Sequence, residues 1–297
     1  MKEAPLAMVL VPVLFVLTAA LAAALSRRIG TLIPVDVDAT ESIAEAFRAS
    51  AFWRVSHVAL IAAAIWNAVL SFACIHEYVG ATAAWSALAI AFACGIVAAY
   101  VNRFFAVGNR SALSQLQTLG IPIRRITQVA FAIVVAVVVL LIGASLALMH
   151  TRSVCILSPE ELRGRMEWGR IALVSTSVWL IIGVAEIFLR YDWPAHLPLG
   201  DANPAVIHHV ALTIAVVFGG LFSIFLLELY APMILVHQMW IADAADAQSC
   251  LHPDLSIPKW LEQEALNRTL WTTLIQIAAV AGPSLTAFGL PGVLKRR

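Results

Sequence analysis

Few side chains in this sequence are able to do chemistry, and the informative ones lie inside long apolar stretches. Glu186 precedes Arg190 by one helical turn, Glu228 sits between Leu226 and Leu229, and Asn67 falls in the middle of another greasy run. An ionisable or amide group is costly to place in hydrocarbon, so each of the three marks a candidate site by default. Together Glu228, Asn67 and Glu186 read as residues lining a solute path, with Glu228, desolvated among its leucine neighbours, as the foremost of them. Each also has a plainer reading. Glu186 reaches the headgroup layer beside Arg190, Asn67 bonds a neighbouring helix, and Glu228 is an interhelical hydrogen-bonding group.

Histidine and cysteine supply the other chemistry. His57 and His209 lie near the ends of two runs, and two imidazoles facing across a bundle are a ligand set for a b-type haem iron or a metal. At such a boundary a histidine is also easily solvated. His76, His150, His237 and His252 read as interfacial. Cys74 and Cys94 fall within runs and act as small apolar residues. Cys155 and Cys250 fall between runs, where an oxidising compartment would let them form a disulfide. There is no phosphate-cradling glycine loop, GxSxG, HExxH or Cys/His zinc pattern, so no catalytic residue is assigned and haem is the one cofactor in play.

The elements that must position these groups follow from composition. The chain has 297 residues, of which 61% are hydrophobic and 12% charged. Soluble domains sit near 45–50% apolar and about 25% charged. The balance of 19 Lys+Arg against 18 Asp+Glu, without a basic block, gives no footprint for nucleic acid. Seven apolar runs, near 5–25, 55–75, 81–101, 128–149, 171–189, 208–231 and 270–290, are each about as long as a bilayer-crossing helix requires. They are continuous rather than alternating, so the expected fold is all-α, a polytopic transmembrane bundle of about seven spans forming one membrane domain. Gly282-Pro283-Ser284 is expected to kink the last run or leave a half-helix.

An N-outside, C-inside arrangement places 12 Lys/Arg on the inner side and 7 on the outer side. Ser158-Pro159-Glu160-Glu161 is a helix start whose helix runs straight into the fifth run. Segments 41–54 and 111–119 have the face pattern of helices lying along the membrane surface. Among the tryptophans, Trp53, Trp85, Trp168, Trp193, Trp240 and Trp271 fall at run ends, where the headgroup layer suits an indole, and Trp66 and Trp179 fall in mid-run as lipid-facing or packed bulk.

An internal repeat is also legible. At an offset of 152, His57 aligns with His209 and Tyr78 with Tyr230, and the stretch 56–78 shares seven identities in 23 positions with its counterpart. Runs one to three and five to seven then form two parallel units joined by run four. This 3+1+3 outline is similar to that of the sugar-exporting SWEET proteins, whose sequence motifs are absent here. The combined reading is a non-enzymatic bacterial inner-membrane protein, surrounded by lipid, that binds or transports a small solute between its helices. The alternatives are an assembly, sensor or immunity-type subunit that docks a protein partner or a second copy, and a haem-binding electron carrier using His57 and His209.

Overall fold

The structure is a computed structural model that describes residues 43–105, 123–150, 157–196, 204–251, 256–264, 266 and 270–294. Regular structure among the described residues is entirely helical. The helices are α1 (Ile43–Tyr78), α2 (Ala81–Phe105), α3 (Ile123–Met149), α4 (Pro159–Asp192), α5 (Pro204–Leu251), α6 (Ile257–Gln263) and α7 (Leu270–Leu294), with a 3-10 turn at Trp193–His196. Five of them, α1 to α5, are long and apolar enough to cross a membrane. Phe92, Trp85, Trp66 and Phe288 all point outward, an apolar exposure that suits lipid rather than water. The chain is a membrane-embedded helical bundle, in keeping with about seven spans. Run 5–25 and segment 111–119 lie outside the described residues.

Three expectations are corrected. The segment 41–54 was expected to lie on the membrane surface, but from Ile43 it is the first part of α1. No Gly, Pro or capping residue interrupts 51–55, and Trp53 is drawn inward by a partner on α4. The sixth run was expected to end near 231 and to lead into a loop. Instead α5 continues to Leu251, and its 48 residues span about 72 Å at 1.5 Å per residue. The Ala-rich stretch at 242–247 sustains it. Finally, of the two outcomes expected at Pro283, a kink or a half-helix, the half-helix is ruled out, because α7 runs unbroken through it.

The buried proline of α7 is tolerated for a local reason. A proline offers no N–H to the carbonyl four residues back, and in lipid a neighbouring hydroxyl can take that place. Pro283 frees the Ala279 carbonyl, and Ser177 Oγ of α4 donates to it at 2.5 Å. Pro232 of α5 frees the Glu228 carbonyl instead, and the next carbonyl, that of Leu229, accepts from Ser145 Oγ of α3 at 2.9 Å.

In the packing, α4 is central and touches α1, α5 and α7, whereas α3 packs on α1 and α2. Small residues allow the close contacts. A Cβ at Gly219 of α5 would lie 2.7 Å from the Pro283 carbonyl oxygen of α7, so only glycine fits there. Gly80 makes the tight α1–α2 turn at φ 117°, a conformation other residues rarely adopt. The expected cap at Ser158 is present, its Oγ accepting from Glu161 N–H at 3.2 Å, and α4 then runs without a break through the fifth run. Beyond the lipid-length stretch, α4 and α5 project together. Short α6 closes their tips by burying Trp260 and Leu266 against Leu162, Ile241, Ala244 and Ala245.

Candidate functional site

The α1–α4 seam carries four of the buried polar groups among the described residues, His57, Asn67, Thr176 and Glu186. Helix periodicity puts Thr176, Trp179, Gly183, Glu186 and Arg190 on one stripe of α4, three or four residues apart. Facing them on α1 are Trp53, His57, Leu60 and Asn67, all buried.

Glu186 is the centre of the cluster at one end of this seam and is 1% exposed. Its Oε1 accepts from Trp53 Nε1 at 2.9 Å and faces His57 Nδ1 at 3.0 Å. It also accepts from Arg190 Nη2 at 2.6 Å and Nε at 3.1 Å. A buried carboxylate is tolerable only when paired and hydrogen-bonded, and this one is both. Arg190 was the partner expected from sequence. The inward turn of Glu186 to Trp53 and His57 was not. Trp53 itself is buried rather than placed in a headgroup layer, since its N–H is committed to Glu186.

His57 is 4% exposed, and its Nε2 has no hydrogen-bond partner. Leaving a buried polar atom unpaired costs roughly 1–3 kcal/mol, so a retained one calls for an explanation. Trp179 Nε1, two turns deeper on the α4 stripe, is buried and unpaired as well. Just beyond the cluster, His208 Nδ1 meets Asp192 Oδ1 at 2.8 Å, and His208 packs edge-on against Phe188. Two histidine–carboxylate pairs therefore occupy the same end of the bundle, one buried and one partly exposed.

The middle of the seam is differently arranged. Asn67 Nδ2 donates to the Ala63 carbonyl at 2.9 Å and reaches the Ser175 carbonyl at 3.4 Å. Its Oδ1 faces Thr176 Oγ1 at 3.3 Å, which pairs with Tyr230 OH at 2.9 Å and donates to Ala172 O at 2.7 Å. These bonds tie α1, α4 and α5 together, which is the helix-bonding reading of Asn67.

The other end of the bundle holds a residue that sequence reasoning counted only as an outer positive charge. Arg165 is 2% exposed, and its Nη1 faces the Ala147, Leu148 and His150 carbonyls at 3.4, 3.1 and 2.8 Å. Its Nε and Nη2 go to Glu161, and its guanidinium lies 4.6 Å from the Tyr78 ring centre and 5.4 Å from that of Trp240. His237 Nε2 donates to Leu148 O at 3.1 Å. A cation here closes the negative end of the α3 dipole. The one signal in the sequence was Glu161, one turn before Arg165 on the capped start of α4.

The remaining candidates are dispersed. Glu228 is half-buried on α5, away from Glu186 in sequence and on another helix. His209 is exposed, with its ring beside that of His208, so the proposed repeat mates His57 and His209 have unlike surroundings. Cys250 is exposed near the end of α5, and Cys155 lies outside the described residues. Among the described residues no group of three or more His, Cys, Asp or Glu side chains is placed to hold a metal ion. An apolar hollow of about 420 Å³ beside Cys94, Val97, Phe131 and Val135 opens outward with no polar lining. Comparison of the chain with protein-family models, with curated proteins and with solved structures finds no match to any of them.

Proposed function

We propose that this chain is a multi-pass protein of a bacterial inner membrane that binds or moves a small solute between its helices, with the α1–α4 seam as the path. Glu186 is its principal polar residue, and Asn67 braces the middle of the seam. The carrying observation is the buried Glu186 cluster with its unpaired His57 Nε2. A purely structural ion pair gains nothing from an unsatisfied neighbour, whereas a binding site needs an atom held in reserve. With the positive-inside bias, this end faces the cytoplasm.

The test uses the full chain reconstituted in vesicles that enclose a pH-sensitive dye. Radiolabelled sugars, alkylamines and short carboxylates are added outside, one at a time, and uptake is counted alongside the internal pH. At least one class is expected to enter faster than in empty vesicles, and Glu186→Gln is expected to reduce that uptake at least tenfold. No response to any class, or full retention in Glu186→Gln, removes the reading.

One observation favours a second reading, that of a membrane subunit docking another protein. The projecting tips of α4 and α5, closed by α6, form a small apolar core beyond the lipid-length stretch, braced by Arg163 Nη2 to Glu264 Oε2 at 3.3 Å. Deleting α6 would abolish partner capture under this reading and leave solute uptake intact under the first.

A further inference from the structure

Glu186 Oε1 accepts from the Trp53 N–H and from Arg190, groups that donate and do not accept in return. Oε1 therefore carries no hydrogen, the paired Arg190 guanidinium favours the ionised carboxylate, and the imidazole 3.0 Å away must present Nδ1–H to it. That assignment leaves the His57 lone pair on Nε2, the buried atom with no partner. The tautomer, orientation and counter-ion of a proton-accepting imidazole are all in place before anything binds.

We infer that His57 Nε2 is a proton-binding atom, and that the proton is the ion coupled to solute movement. The coupling clause rests on the function proposed above, whereas the binding clause does not. In the step, a proton leaves a hydronium ion for the Nε2 lone pair, an N–H bond forms, and water is released. The imidazolium is then held against the Glu186 carboxylate, and the cluster of His57, Glu186 and Arg190 goes from neutral to a single positive charge. No electron transfer or co-reactant is required.

Other ligands fit this cluster less well. A metal ion would need several donors, and no such group is present among the described residues. An anion would meet a lone pair, with Arg190 already committed to Glu186. A porphyrin would need an open face, and the His57 ring is covered. The way in is short. The Arg190 side chain is 28% exposed, and two residues along α4 the Asp192–His208 pair has its imidazole 39% exposed. Among the described side chains, the titratable and charged groups near His57 are thus Glu186 and Arg190 on α4, then Asp192 at its end and His208 at the start of α5.

The experiment is nitrogen NMR of isotope-labelled histidine in the full chain, reconstituted in phosphatidylcholine–phosphatidylglycerol vesicles. His57 signals are identified by their loss in His57→Gln. If that variant fails to fold, they are identified by the contact between the Nδ1 hydrogen and the Glu186 carboxylate carbon. Near neutral pH the expected state has the hydrogen on Nδ1 and a bare Nε2. Added acid converts Nε2 to N–H while the helix content stays constant, and base reverses it. Glu186→Gln, whose amide can donate to or accept from Nδ1, should mix the two tautomers. A hydrogen on Nε2 near neutral pH, or an Nε2 that stays bare until the bundle unfolds, overturns the inference. Protonation of His57 without solute movement would remove the transport reading and leave the proton site standing. Solute movement that persists in His57→Gln without any pH change would remove the coupling and leave transport.

Discussion

The two ends of the bundle each bury a cluster of charged and aromatic groups, and they spend their hydrogen bonds differently. At the Arg165 end the cation meets three carbonyls at the close of α3, a carboxylate and two aromatic rings. At the His57 end four contacts converge on one Glu186 oxygen while a histidine nitrogen and, deeper, an indole nitrogen go unpaired. A saturated buried network fixes a fold. One with an open atom gives up some stability, and the difference marks where a ligand would be received.

The largest effect on that comparison should come from Arg165→Met. It removes a charge-assisted cap from α3 and leaves buried carbonyls unsatisfied, so a loss of about 3–5 kcal/mol is expected. Unfolding in detergent micelles, followed by helix content, reads it directly, and a loss below about 1 kcal/mol would erase the contrast between the ends. Next comes Ser177→Ala, which exposes the Ala279 carbonyl freed by Pro283. A loss of about 1 kcal/mol is expected in the same assay, against none if α7 absorbs the proline by itself. The smallest is Trp66→Leu. Trp66 is 58% exposed in mid-helix while Trp179 is 1% exposed, so exchanging one lipid-facing side chain for another should stay within about 0.5 kcal/mol.

How much of this was legible beforehand follows from what each signal depends on. Apolar run length located the described spans because lipid thickness constrains them directly, and Ser158-Pro159 gave the α4 start because its cap is local. Helix length beyond the lipid was not legible, since nothing in the Ala-rich 242–247 stretch announces whether water or protein surrounds it. Glu186 and Arg190 were paired by their spacing. Trp53 and His57 are more than a hundred residues away in sequence, and only the packing of α1 on α4 brings them to Glu186. Arg165 was hidden for the same reason: its carbonyl partners sit on a different helix. The likeness of His57 to His209 held in sequence alone, because one faces a packed seam and the other an open surface.

The account turns on His57 being held for binding rather than for stability. His57→Phe keeps the ring shape, removes the unpaired nitrogen and leaves Glu186 with Trp53 and Arg190. Measured beside Arg165→Met in one unfolding series, it should cost less than about 1 kcal/mol. A loss matching that of Arg165→Met would make the two ends alike and contradict the assignment of the α1–α4 seam as the site.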